Sequence, residues 1–288
     1  MQGIKEEDLN DFIDRALFED VRDGDHTALA CISADQRSRA KLLVKSQGIL
    51  AGVALAEHIF KRMDKNVLFY KKMEDGAVMA FGDIAFEVEC DSQTLLKAER
   101  LVLNTMQRMS GIATLSHEFK AAVADLPVTV LDTRKTTPLL RFLEKWAVKI
   151  GGCSNYRYGL YDRIMIKDNH IDACGNITKA IEKVTLYKQE KNLLQLPVTV
   201  EVRNLAELQE TMTAGANDKV QRIMLDNFDL PTTRQAVQIV GSHFECEASG
   251  GVTLATIRDI ALTGVGFISV GALTHSAYSL DLSLKVIK

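Results

Sequence analysis

The chain has no cysteine pair at metal or redox spacing, no surplus of basic charge, no apolar run suited to a bilayer and no glycine-rich dinucleotide loop. Each absence excludes something. Its five cysteines, Cys31, Cys90, Cys153, Cys174 and Cys246, are odd in number and scattered. That speaks against a disulfide framework or a zinc ribbon, and it fits a reducing, cytoplasmic setting. Lys+Arg 35 against Asp+Glu 38 leaves a net charge of -3, without the surplus that a general nucleic-acid binder carries. Any anion site must therefore be local. Residues 260–280 carry no Asp, Glu, Lys or Arg, yet Gly264, Gly266, Gly271, Thr274, His275 and Ser276 make them a poor membrane span. They read as buried structure. The opening MQGIKEEDLNDFIDRA is acidic and amphipathic, unlike a signal peptide.

What is present is 288 residues, 47% hydrophobic and 25% charged, enough for one large domain or two. Two rhythms divide them. Across 41–91, short β-type runs (LLVKSQGILAGVAL, NVLFYKKM, AVMAFG, DIAFEVEC) alternate with charged or Gly-containing turns, which predicts a sheet domain. Asp91 and Ser92 then make an N-cap pair for a helix whose Leu95, Val102, Met106 and Met109 form one stripe.

From Pro127 the pattern becomes a short apolar run, a polar end and an amphipathic helix, repeated. The runs VTVL, RIMI, VTV, RIML, FEC and FISV are spaced for a crossover helix in each unit. A helix starts at Thr137-Pro138 and stops at Gly151-Gly152; another opens at Asn204 with Glu207 and stops at Gly215. Six such units favour a parallel α/β barrel over an open sheet. No GxGxxG follows the first run, which weakens a dinucleotide-binding reading.

In such barrels chemistry collects where strands end. There the chain places Asp132-Thr133-Arg134-Lys135, Lys167-Asp168-Asn169-His170, Glu201-Val202-Arg203, Asp226-Asn227, Glu247-Ala248-Ser249-Gly250-Gly251 and Gly271-Ala272-Leu273-Thr274-His275, with Tyr156, Arg157 and Arg163 shortly before the second run. The expected mouth sets Arg134, Lys135, Arg157 and Lys167 against Glu201, Asp226 and Glu247. Any one of these charges is equally well read as solvated or as half of a structural ion pair. Four cations on one rim repel each other unless an anionic ligand or facing carboxylates offset them. Ser249-Gly250-Gly251, before a helix expected near Thr253, and Gly271 in the next loop suit a phosphate cradle, although glycine also serves in ordinary turns. Glu201 and Asp226 suit sugar hydroxyls or a magnesium ion, directly or through water. His275 is a candidate phosphate contact and His170 a weaker one. No Ser-His-Asp or Cys-His pairing is readable.

The segments AERLVLNTMQRMSGIAT (98–114), DTRKTTP (132–138), LEKWAVKIGG (143–152), GLYDRIMIKDNHI (159–171), VEV (200–202), MLDN (224–227), EASGG (247–251) and SVGALTHS (269–276) together resemble the quinolinate phosphoribosyltransferase family, the decarboxylating nicotinate-nucleotide pyrophosphorylases of NAD biosynthesis. The resemblance implies an α/β protein with an N-terminal open-faced α/β sandwich over 1–110, joined by the C-terminal segment 277–288. An incomplete, seven-stranded α/β barrel over 111–276 completes it. It implies a homodimer whose active site lies at the subunit interface, with quinolinate and phosphoribosyl pyrophosphate as substrates, magnesium as cofactor, and neither nucleic acid nor membrane as partner. By matched position, Arg134, Arg157, Lys167 and Tyr156 would face quinolinate, with Arg100 supplied by the partner subunit. Lys135, Glu201 and Asp226 would be the catalytic contacts to phosphoribosyl pyrophosphate, and Ser249, Gly250, Gly251, Gly271 and His275 would hold its 5-phosphate.

Two positions depart from the family's pattern. Tyr156 stands where it usually has histidine, and Leu139 where it usually has glycine. A tyrosine donates one hydrogen bond but carries no imidazolium charge; Leu139 is expected only to alter a first helical turn. A related transferase with another aromatic acid, a barrel lyase using Lys167 as a Schiff-base amine, and a degenerate homologue acting as an interaction protein remain as alternatives.

Overall fold

A computed structural model describes residues 5–287; residues 1–4 of the acidic N-terminal stretch and residue 288 of the C-terminal segment lie outside it. In chain order the elements are α1 (Glu6–Val21), α2 (His26–Cys31), β1 (Arg37–Val44), β2 (Gly48–Ile49), α3 (Val53–Met63), β3 (Leu68–Lys71), β4 (Val78–Met79), β5 (Ile84–Asp91) and α4 (Ser92–Ala122). There follow β6 (Thr129–Leu131), α5 (Arg141–Ile150), β7 (Ile164–Ile166), α6 (Asp168–Cys174), α7 (Ile177–Glu190), β8 (Val198–Val202) and α8 (Leu205–Ala214). The remainder are β9 (Arg222–Asp226), α9 (Leu230–Val240), β10 (Glu245–Ser249), α10 (Ile257–Ala261), β11 (Phe267–Ser269), α11 (Ala272–His275) and β12 (Leu282–Ile287).

The chain forms two compact units. The first takes the described residues up to His117 together with Thr137–Gly152 and those from Ala277 onward; the second takes Glu118–Thr136 and Cys153–Ser276.

In the first unit β12, β1, β5 and β3 form one antiparallel sheet in that order. Alternation of side chains along a strand puts Ala40, Leu42 and Val44 of β1 on the buried face, while their neighbours stay partly or fully exposed. Phe60 of α3 meets Phe69 and Phe86 of the sheet at ring separations of 6.3 Å, and those two rings lie 4.5 Å apart. One-sided burial of this kind makes the sandwich open-faced. On α4, Leu95, Val102, Met106 and Met109 are all buried, as the helical stripe predicts, and Asp91 caps the helix by accepting from the Thr94 amide at 2.7 Å.

The helix expected at Thr137-Pro138 begins only at Arg141. Residues before it turn through Leu139, whose φ of 65° is left-handed and incompatible with helix. Its buried face includes Glu144, which accepts from Arg108 Nε (3.1 Å) and Nη2 (2.9 Å) and from the Thr137 amide (3.1 Å) and hydroxyl (2.8 Å). This anchor is invisible in hydrophobic periodicity.

In the second unit all six predicted runs are strands, ordered β6-β11-β10-β9-β8-β7 and parallel throughout. First and last strands being neighbours curls the sheet towards a barrel whose seam lies between β6 and β7. Ser154 pairs with Leu131 as a single parallel bridge at that seam, the vestige of a seventh strand. All five residues of β8 are buried, as in a parallel strand covered on both faces. Outside, α8 packs on β8, α9 on β10 and α10 on β11.

Candidate active site

The strand ends of the second unit open into a cavity of about 610 Å³. Residues from seven chain segments line it. Arg134 and Lys135 follow β6, Tyr156 and Arg157 follow the Ser154 bridge, and Lys167 follows β7. Glu201 and Asp226 come from the ends of β8 and β9, Ser249, Gly250 and Gly251 from the end of β10, and Gly271 and His275 from the turn after β11. Every residue matched to a substrate role except Arg100 is therefore gathered there. Arg100 is exposed on α4 in the first unit and is not a lining residue.

The two ends of the cavity differ in chemistry. At one, Arg157 donates to the Arg163 carbonyl at 3.2 Å, and both burial and the Arg134 charge hold its guanidinium below the usual arginine range. A guanidinium disfavoured by burial and by a neighbouring guanidinium makes a receptor for an anion. Beside them Lys167 donates to Glu201 at 2.8 Å, so this lysine and carboxylate meet as a pair; Glu201 is 9% exposed.

At the other end lie the glycine turns. Gly250 has φ of 100°, and a Cβ there would come 2.1 Å from Asn227 Oδ1, so no side chain fits. A Cβ on Gly271 would stand 3.0 Å from Lys135 Cδ, which places the lysine stem against the turn, and the Thr274 hydroxyl pins the Lys135 carbonyl at 2.8 Å. Adjacent in sequence, Arg134 and Lys135 thus serve opposite ends. The helix expected near Thr253 starts instead at Ile257, because Thr253 and Thr256 close a turn of their own, with the Thr253 amide donating to the Thr256 hydroxyl at 3.0 Å. The small residues, not a helix terminus, shape this end.

Several expected mouth charges lie deeper or elsewhere. Glu247 is fully buried one layer below the cavity, where it accepts from Arg222 Nη1 at 3.2 Å and from the Ser269 hydroxyl. Burial raises its carboxyl above the usual range, against the donors around it. Strand alternation explains the correction: Glu247 and Ser249 point inward two residues apart, and only the latter reaches the rim. Arg203 pairs with Glu207 and Asp172, His170 accepts from the Lys167 amide at 3.0 Å to start α6, and neither lines the cavity. Tyr156 is where the sequence places it. Burial, followed by the Glu247 charge, pushes its phenol up to about 12, so it is neutral at physiological pH.

Among the described residues no group of three or more His, Cys, Asp or Glu side chains gathers to hold a metal ion, and no helix is long and apolar enough to cross a membrane. None of the five cysteines forms a disulfide, and burial pushes the thiols of Cys90, Cys153 and Cys246 up to about 12. The carboxylate supply therefore suits a magnesium ion carried mainly by substrate phosphates and waters, with Asp226 at hand and Glu201 already paired.

An α/β barrel with paired guanidiniums facing glycine turns across one mouth defines the class: an enzyme for small phosphorylated and carboxylated anions. The family models for the N-terminal and C-terminal domains of quinolinate phosphoribosyl transferase match residues 25–110 and 112–285. A quinolinate phosphoribosyltransferase [decarboxylating] of Nicotiana tabacum is 46% identical over 293 residues, covering 97% of this chain and 82% of the relative. A probable nicotinate-nucleotide pyrophosphorylase [carboxylating] of Bacillus subtilis is 40% identical, covering 96% and 93%. The crystal structure of NadC from Streptococcus pyogenes superposes with a TM-score of 0.91 at 35% identity, each chain covered in full. The chain belongs to the quinolinate phosphoribosyl transferase family.

Proposed function

We propose that this chain joins quinolinate to phosphoribosyl pyrophosphate, releasing pyrophosphate and carbon dioxide and leaving nicotinate mononucleotide for NAD biosynthesis. The observation that carries the reading is the division of the cavity, with Arg134 and Arg157 together at one end and Lys135 against the glycine turns at the other. Arg134 and Arg157, with Lys167 beside them, hold the two carboxylates, since a guanidinium fork binds a carboxylate through two parallel hydrogen bonds. Tyr156 walls the same end. Ser249, Gly250, Gly251, Gly271 and His275 receive the 5-phosphate.

The pyridine nitrogen attacks the anomeric carbon as pyrophosphate leaves, through a transition state with oxocarbenium character. Glu201 and Asp226 orient the ribose and favour positive charge on its ring. Lys135 offsets charge on the departing pyrophosphate, and loss of one such preorganised donor costs about 3 kcal/mol in the transition state. Magnesium, held by Asp226 and the substrate's phosphates, supplies further charge neutralisation when bound. The electron pair of the breaking carbon–carboxylate bond then stays on the ring carbon as carbon dioxide leaves, stabilised there by the positive charge of the adjacent alkylated nitrogen, and that carbon takes a proton.

The active unit is a homodimer in which the partner subunit contributes Arg100, and the compartment is cytoplasmic, in keeping with five cysteines in no disulfide. Quinolinate-dependent pyrophosphate release, followed with and without magnesium, tests the reading. Release requiring both substrates supports it; release with nicotinate in preference to quinolinate assigns another acceptor.

A further inference from the structure

Beneath the carboxylate end of the cavity, polar groups that the proposed reaction does not use lead up to Tyr156. Arg163 Nη1 lies 3.1 Å from the Thr199 hydroxyl, and that hydroxyl lies 2.9 Å from the Tyr156 hydroxyl. Glu247, held by Arg222 and Ser269, lies near enough for its carboxylate to act on the Tyr156 phenol. Chemistry orients these groups. A guanidinium only donates, so Thr199 accepts from Arg163 and keeps its own proton for Tyr156, whose proton is then free to turn towards the Glu247 carboxylate. Each hydroxyl then accepts once and donates once.

The consequence concerns what Tyr156 shows to the cavity. Its hydroxyl is committed downward, its backbone amide donates to the buried Asp132 at 2.8 Å, and its ring has the guanidiniums of Arg222 and Arg163 at 5.2 and 5.5 Å. Such cation–π distances hold a ring as well as the hydrogen bond does. The residue is fixed at both ends, and an immobile aromatic surface stands directly beside Arg157 and Lys167. Arg163 and Thr199 are not themselves lining residues.

We infer that Arg163, acting through Thr199, is a positioning residue that holds Tyr156 as a neutral aromatic wall, and that this wall selects a planar aromatic acid at the carboxylate end of the site. The inference rests on the function proposed above for that end. A flat ring packs against a fixed aromatic surface while the arginines take its carboxylates, so recognition divides between an apolar wall and a charged rim.

The test measures quinolinate binding by titration calorimetry and both KM values by pyrophosphate release, for the wild type, Arg163→Met, Arg163→Lys and Tyr156→Phe. Arg163 is half-buried at the surface of the unit, so its replacement leaves the fold standing. Loss of one hydrogen-bonded tether is expected to raise Kd and KM for quinolinate about tenfold in Arg163→Met and in Tyr156→Phe, with kcat and the KM for phosphoribosyl pyrophosphate within about twofold. Arg163→Lys, which still donates to Thr199, recovers most of the loss. Wild-type affinity in Arg163→Met overturns the inference, and so does a parallel rise in both KM values that lysine does not rescue. Wild-type protein that binds quinolinate in an Arg163-dependent way yet releases no pyrophosphate sinks the proposed function and leaves the inference standing; turnover indifferent to Arg163 does the reverse.

Discussion

Removing the Arg134 guanidinium is expected to abolish most turnover without unfolding the chain, because the residue borders a polar cavity and not the core. Arg134→Ala with a near-normal thermal midpoint and less than about one hundredth of wild-type kcat/KM is the outcome that matches the assignment; near-normal turnover removes it. Leu139 gives a stability prediction of a different kind. At φ of 65° a leucine is strained by roughly 1 kcal/mol, and a glycine relieves that strain while adding disorder to the unfolded chain. Leu139→Gly should therefore leave the urea midpoint unchanged or higher, whereas β-branched Leu139→Val lowers stability by about 1 kcal/mol. The rim residues were legible because charged side chains directly after apolar runs have few places to go but a strand end. Glu247, Arg163 and Arg222 were not, since strand alternation alone does not tell which inward layer is wet and which is dry. Glu144 escaped for a related reason, a charge on a helical face being read as solvated until its partner Arg108 is known.

Among the elements, Asp64 ties the loop before β3 to β5 and β1 of the open-faced sheet, accepting from the Asn66 amide at 2.7 Å, the Asp91 amide at 3.0 Å and Arg37 at 3.4 Å. Burial works against its charge, but these donors hold the carboxyl below the usual range. A lowered pKa in the folded state means stability that is present above the ordinary carboxylate value and lost as pH falls through the folded one. Asp64→Asn should cost about 1–2 kcal/mol at pH 7. The gap to wild type in urea melts should begin to narrow as pH falls past the ordinary carboxylate value of about 3.9 and close only below the lowered folded value, where the wild-type carboxylate is also protonated; a gap independent of pH counts against the charge as its source. Six barrel strands were readable from apolar runs and spacing. The starts of α5 and α10 were not, because Leu139 and the Thr253–Thr256 turn delay them by conformations that residue type only weakly encodes.

For the whole molecule, the proposed sharing of the active site between subunits predicts complementation. Arg100→Ala and Arg134→Ala, each inactive alone, should regain about a quarter of wild-type activity when unfolded, mixed and refolded together, because half the dimers are then mixed and each carries one intact site. No recovery would mean that Arg100 acts within its own subunit or not at all. The sheet that β12 completes has another consequence. β12 pairs along the whole inner length of β1, from Arg39 to Val44, yet it lies beyond every barrel strand in the chain. During synthesis the barrel strands therefore leave the ribosome as a finished set while β1 still presents a bare edge. The unit begun first is closed last, and a nascent chain stalled short of Leu282 carries an unpaired strand open to another molecule.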